Sequence, residues 1–324
     1  MTRAARNSYI LVAAILIFMG GLHLTLLLLT VLFSHFALEL LTFRRKKTMA
    51  VVIFLLTVAG LLFGSYSFIK LAAVATPKIA NTTIPLAIKL AERVGIEPPF
   101  SDYAGLKAMA REFMEDQWGK IGMYARDLGW EMVSFIIGLV VAISLFLTTK
   151  VHLGEIEEAP QDNLYAVTGR QILIRFGTFY KSFVTVMGAQ LLISAINTML
   201  TAAFLAIAGF PFMALLVAVT FFCGLLPIVG NLISNTIVTF VALNVSPTVA
   251  VAALGYLIAI HKLEYFLNSK IIGSRIRNPM WMTLIGLVLG ERLMGVPGMI
   301  LAPVVLHYIK VEASRLEAEV QPKS

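Results

Sequence analysis

With 324 residues, 59% of them hydrophobic, only 14% charged and a net charge of +8, the chain is far from a soluble domain, which carries roughly 45–50% apolar and about 25% charged residues. It is expected to be an integral membrane protein, one polytopic bundle rather than a pair of soluble domains. A single cysteine, Cys223, rules out an internal disulfide or CxxC site. The five histidines never fall three or four apart, and no phosphate loop, dinucleotide fingerprint or GxSxG elbow is present, so no metal, cofactor or enzyme chemistry is expected.

Residues 9–43 are almost wholly apolar, which at about 1.5 Å per residue is too long for one crossing of a roughly 30 Å core and short for two. Gly20 and Gly21, with His23, interrupt the run and predict helices over about 9–22 and 24–43. Arg3 and Arg6 ahead of an apolar stretch look like the start of a signal peptide, but no small-x-small cleavage site precedes the leucine run, so the segment is expected to be retained. Arg44, Arg45, Lys46 and Lys47 form a solvated anchor next to lipid headgroups.

Spans are predicted over 49–69 and 131–149. Between them, Tyr103, Leu106, Ala110, Phe113 and Trp118 recur at helical spacing opposite Lys107, Arg111, Glu115 and Asp116, the pattern of amphipathic helices lying against a membrane or partner. Another span covers 183–207. The run 212–245 is broken at Pro227 to Asn231, leaving pieces too short to cross; Pro removes a helix hydrogen bond and Gly permits a turn, so a re-entrant hairpin is expected. Residues 248–266 form a span, and 280–309 divide again between Gly290 and Gly298.

The fold class is thus an all-α polytopic membrane protein of about eight membrane segments, including broken or re-entrant hairpins, plus an extracytoplasmic amphipathic segment. The order is an N-terminal helical hairpin (1–47), a span (48–70), the amphipathic helices (71–130), a span with a cytoplasmic loop (131–182), a core with two broken hairpins (183–309) and a cytoplasmic tail (310–324). Inner segments in this arrangement hold 17 of the 26 Lys and Arg residues. That excess places both termini in the cytoplasm and explains the basic charge without nucleic acid.

The second half carries recognisable text. Leu225-Leu226-Pro227-Ile228-Val229-Gly230-Asn231 resembles the PxxG turn of the AI-2E family of transporters. Leu263 through Asn268, then Ile272-Gly273, Asn278-Pro279 and Gly290 through Gly298 resemble that family's closing block, and Met187-Gly188-Ala189-Gln190 its central G-Q pattern. The resemblance implies a small carrier of the bacterial inner membrane that forms homo-oligomers, as pentamers. It also implies either export of the signal autoinducer-2 or exchange of sodium or lithium for protons.

Candidate residues gather at the two breaks, where freed backbone groups must face protein or water. Asn231 and Asn235, one turn apart, either cap the half-helix or line a path for an ion or hydroxylated solute. Gln190 and Asn197 share a face with Thr201 and serve as interhelical glue or as lining. Glu291 and Arg292 form either a solvated hairpin tip or part of a transport site. Glu291 is the titratable group best placed for proton coupling, whereas Glu39 and Glu264 lie near span ends and read as interfacial. Pro227, Gly230, Gly290, Gly295, Pro297 and Gly298 supply the turns. The two breaks are expected to contribute Asn231, Asn235 and Glu291 to one hydrated pathway. His23 reads as a hydrogen-bonded neighbour of its break or as a proton relay. Gly60 with Gly64 and Gly286 with Gly290 read as points of close helix packing. The partners expected are the bilayer, further copies of the chain, and a small polar solute or monovalent cation. A non-transporting oligomeric scaffold, held together by 71–130, is the rival of another class.

Overall fold

The computed structural model describes residues 3–42, 46–93, 95, 104–105, 107–108, 121–148, 164–226, 229–267 and 279–315, and among these it contains helices and no strand. In chain order they are α1 (Arg3–Gly21), α2 (Thr25–Leu41), α3 (Lys47–Arg93), α4 (Ile121–Leu147), α5 (Leu164–Ile207), α6 (Met213–Gly224), α7 (Val229–Ala242), α8 (Pro247–Leu267) and α9 (Met280–Ala313). Four of them, α3, α4, α5 and α9, are long and apolar enough to cross a membrane, and the bent pair α1 and α2 brings the number to five. Large apolar side chains such as Leu56, Phe63, Val140 and Met199 are exposed along them, a surface that water would not tolerate and lipid does. The chain is a multi-pass membrane protein.

Helix ends differ from the sequence reading most in α3, α4 and α5. Instead of closing near 69, α3 continues through Pro77 and Pro85 to Arg93, 47 residues in all, or about 70 Å at 1.5 Å per residue. The alanine- and leucine-rich stretch after Ile69 has neither glycine nor cap to stop it, and Thr82 Oγ1 donates to the carbonyls of Lys78 (3.1 Å) and Ile79 (3.0 Å) between the two prolines. Likewise α5 begins at Leu164 rather than near 183, because the basic stretch ahead of the apolar run is itself helical. Residues 71–93 of the expected amphipathic segment therefore belong to α3 and 121–130 to α4. Tyr103, Leu106, Ala110, Arg111, Phe113 and Trp118 lie outside the described residues.

The chain divides into two compact units. The first comprises Met1–Phe54, Trp130–Gly188 and Ile272–Ser324. Its core joins Leu29 and Leu32 of α2, Phe179, Phe183 and Met187 of α5, and Leu301, Val304 and Tyr308 of α9. Helices α1 and α2 meet at a bend of 115°. The turn itself falls on His23 (φ 55°), while Gly21 remains helical. Gly20 serves a different purpose: a Cβ there would stand 2.9 Å from Met294 Cε, so its bare backbone lets α1 approach α9. One end of this unit is closed by a buried carboxylate, Glu312. It pairs with Arg175, accepts the Tyr9 hydroxyl at 2.8 Å and lies 3.5 Å from Arg315. Arg315 also donates to Thr178 at 3.0 Å, and the Arg175 guanidinium covers the Tyr9 ring at 4.2 Å. None of these partners was apparent in the sequence.

Helix α9 is a hairpin. Its 34 residues are interrupted at Gly295, whose φ of 62° and ψ of −154° suit glycine. In a straight helix positions 290 and 298 would be about 12 Å apart along the axis. Instead a Cβ on either glycine would collide with the other's carbonyl oxygen, and one on Gly286 would stand 3.0 Å from Leu306 Cδ1. Limbs 280–294 and 296–313 thus fold back on each other, with Pro297 in the turn. Gly286 and Gly290 do provide a close approach, whereas Gly60 and Gly64 have no atom within 4 Å of a Cβ.

The second unit comprises Leu55–Gly129 and Ala189–Ile271. Its core gathers Leu205, Phe210, Leu216, Val238, Val241, Ala250 and Ala253, and Phe204 stacks on Tyr256 with ring centroids 4.4 Å apart. Helices α6 and α7 pack together as a second hairpin, and α7 packs in turn on α8.

Gly298→Ala is expected to lower the detergent-solubilised protein's stability by about 1–3 kcal/mol, the usual cost of overpacking, because its methyl meets backbone. Gly64→Ala, made into open space, should leave the melting curve where it is. Thermal unfolding of the two variants checks this, and equal melting points would count against the hairpin.

Candidate functional site

The break between α6 and α7 is where the second unit concentrates its polar groups. A helix that stops inside an apolar bundle leaves its last carbonyls without intrahelical partners, and hydrocarbon cannot supply any. Here the chain turns tightly: the Leu226 amide donates to the Cys223 carbonyl at 2.8 Å and the Gly230 amide to the Leu226 carbonyl at 3.2 Å. Gly230 packs so closely on the Cys223 carbonyl that a Cβ would overlap it, which accounts for the glycine of the expected turn. Pro227 lies outside the described residues.

Two carbonyls of the last turn of α6 are met by side chains of α5. Gln190 Nε2 donates to the Gly224 carbonyl at 2.7 Å, and Ser194 Oγ donates to the Phe221 carbonyl at 2.8 Å. The face continues along α5 with Asn197 and Thr201, all four residues being buried. Thr201 shares a hydrogen bond of 3.1 Å with the Tyr256 hydroxyl of α8. Spacings of four, three and four residues keep the stripe on one side of the helix, and it rises about 16 Å at 1.5 Å per residue. Gln190 and Thr201 are thus engaged. Asn197 is not: it is 2% exposed, and among the described residues neither its amide nitrogen nor its carbonyl oxygen has a partner.

Across the break, α7 buries Asn231, Ser234 and Asn235 on one face, and Ser234 Oγ donates to the Asn231 carbonyl at 3.3 Å. The Asn231 side chain and His261 both lie near the Glu264 carboxyl of α8. Glu264, expected at an interface, is buried at 6% exposure. The hydroxyl of Thr239, two turns along α7 from Asn231, is buried without a partner among the described residues.

Glu291 and Arg292 are arranged differently. They are exposed, stand 3.9 Å from each other and mark the hairpin of α9. They belong to the first unit, and Asn231 and Asn235 to the second. Gly290, Gly295, Pro297 and Gly298 form that hairpin's turn and its tight neck.

Sequence reading missed Ser194 and Glu264. Ser194 was discoverable, since it falls four after Gln190 and three before Asn197. Glu264 was not, because its burial depends on α7 folding back against α8.

Interrupted helices holding buried polar side chains and capped backbone ends define a class: a polytopic helical membrane protein with the broken-helix construction that carriers use. The family model for "AI-2E family transporter" matches residues 7–316. The chain therefore belongs to the AI-2E transporter family. It is also 27% identical over 191 residues to the "Putative transport protein YdbI" of Bacillus subtilis (strain 168). That match covers 58% of this chain and 54% of the relative, so the chain spans about half the length of the curated relative it matches. No solved structure matches.

The two α5 amides are expected to respond differently to removal. Gln190→Leu strips a cap from a buried carbonyl and should cost about 1–3 kcal/mol. Asn197→Leu replaces an unpartnered amide and should leave stability unchanged or higher. Chemical denaturation of both variants in detergent provides the comparison, and a larger loss in Asn197→Leu would mean that its amide is already satisfied.

Proposed function

We propose that the chain is a secondary transporter that moves a small polar solute or monovalent cation past the α6–α7 break. The observation that carries this reading is the buried polar stripe Gln190, Ser194, Asn197 and Thr201. It ends at a capped helix break, yet keeps in Asn197 an amide able both to donate and to accept. An apolar bundle gains no stability from such a group, whereas a passing hydroxylated solute or hydrated ion would complete it. Export of a furanosyl signal such as autoinducer-2 fits the hydrogen-bonding character of the stripe. A second reading, exchange of sodium or lithium for protons, is favoured by the buried carboxylate of Glu264. Asn235 and Thr239 extend the lining along α7, and Glu291 and Arg292 act as a solvated tip.

The expected setting is the bacterial inner membrane, with both termini cytoplasmic, a topology supported by the 17 of 26 basic residues that fall on its inner segments. The active form is a homo-oligomer, a pentamer, with segment 71–130 at the subunit contact.

Purified protein in proteoliposomes should move either the furanosyl signal or sodium and lithium against protons, and Asn197→Leu should cut that flux at least tenfold while the protein stays folded. Absence of every flux, with oligomer and partner binding intact, would leave a membrane scaffold. In a Cys223→Ser background, Ser101→Cys should label from outside the cell and Ser324→Cys only after permeabilisation; labelling of both from one side would overturn the topology.

A further inference from the structure

The polar stripe of α5 has two ends. One is the capped break of α6; the other, beyond Thr201, is shut by apolar packing. One turn past Thr201 comes Leu205, fully buried in the core that also holds Phe210, Leu216, Val238 and Val241. Ile79 of α3 packs against that cluster. A polar solute leaving the stripe at this end would have to enter apolar packing and give up its hydrogen bonds.

Helix α3 reaches this plug over a short stretch only. None of its residues from 55 to 74 is buried, and burial resumes at Ala75, Thr83 and Ile84. Pro77 and Pro85 bracket that stretch inside the helix. Neither proline has an amide hydrogen, so the carbonyls of Ala73 and Asn81 lose their usual helical donors, and the helix bends more easily at both points. A side-chain bond ties the bracketed stretch to the hairpin: Asn244, in the turn between α7 and α8, donates its Nδ2 to Thr83 Oγ1. Behind this tie, the Asn244 Oδ1 and the Thr239 hydroxyl are buried without partners among the described residues. Such atoms are costly to leave unsatisfied, and water admitted behind the stretch would satisfy both.

We propose that residues 77–89 of α3 form a gating strap. With the Asn244–Thr83 bond made, the strap holds the apolar plug shut over the far end of the stripe. With the bond broken, α3 bends at Pro77 and water reaches Thr239 and Asn244. The strap's part in transport rests on the transporter reading, but its opening can be read without flux.

The test labels full-length protein carrying Cys223→Ser and Thr239→Cys with a water-soluble methanethiosulfonate in detergent. Thr83→Val, which keeps the side chain's shape and removes its acceptor, should speed labelling several-fold, and Asn244→Leu should do the same from the other side of the bond. Adding Pro77→Ala to Thr83→Val should return the rate toward the parent's, because the restored amide stiffens the hinge. Thr82→Val should change nothing, since that hydroxyl donates to carbonyls of its own helix. General loosening is read at Thr220→Cys, buried on α6, in place of Thr239→Cys; its slow labelling should be the same with and without Thr83→Val. Unchanged labelling of Thr239→Cys in Thr83→Val and Asn244→Leu overturns the strap, as does equal acceleration at Thr220→Cys. In proteoliposomes, oxidising a Thr83→Cys, Asn244→Cys pair should stop flux and a reductant should restore it; full flux through the crosslinked protein also overturns the strap. Absence of flux before oxidation defeats the transporter reading instead, and the labelling rates then decide the strap alone.

Discussion

The carbonyl groups at the end of α6 set the terms for the second unit. A helix can stop within an apolar bundle only if something else accepts the role of the missing amides. Gln190 and Ser194 take that role from the neighbouring α5, and Gly230 brings the backbone of α7 onto Cys223. This arrangement needs α5 to be unbroken where α6 and α7 are not. Its run from Leu164 to Ile207 carries no proline, so it forms a continuous post on which a polar stripe keeps its register. The hairpin, in turn, holds Asn231 near Glu264.

The chain contains two helical hairpins built by different physics. In the α6–α7 pair, side chains from a third helix satisfy the break, which leaves polar groups buried beside it. In α9, the turn is satisfied by backbone geometry: Gly295 adopts a positive φ, and Gly290 and Gly298 press backbone on backbone. There the charges, Glu291 and Arg292, remain outside and lie 3.9 Å from each other, an exposed pair that contributes little to stability. Similar Gly and Pro signatures in the sequence thus produce one hairpin with a polar interior and one whose close packing excludes polar side chains from its neck.

Much of this was legible because hydrocarbon imposes simple rules. Apolar runs marked the helices, Pro227 with Gly230 and the glycines from 290 to 298 marked the breaks, and the spacing of Gln190, Asn197 and Thr201 marked one face of α5. Lengths were harder to read. After Ile69, Pro77 and Pro85 read as stops that the helix overrides, and only the absence of glycine argues for continuing α3 to Arg93. Burial that depends on tertiary contact was harder still. Glu264 lies near the end of its apolar run, where a charged residue ordinarily reaches water, and Glu312 lies beyond the end of its own. Each is buried because a distant segment covers it, α7 in one case and α1 with α5 in the other, and no local pattern encodes such covers.

Asn197 is the sharpest departure from local rules. A buried amide left unpaired costs about 1–3 kcal/mol, more than exchanging it for leucine in an apolar core would, and its neighbours on the same stripe show that partners could have been provided: Gln190 and Ser194 reach carbonyls, and Thr201 reaches Tyr256. The adjacent Thr198 hydroxyl is also buried without a partner among the described residues, and local rules broken amid satisfied neighbours mark a functional demand more often than a packing defect. On the transporter reading, the partner that Asn197 lacks is one that comes and goes. A group with one donor face and one acceptor face suits water, a hydroxyl or a hydrated ion about equally, so this residue alone does not select the cargo. On the transporter reading selection falls to the charge around it, and in this unit Glu264 is a buried carboxylate with no Lys or Arg salt bridge among the described residues, which favours a cation over a neutral solute.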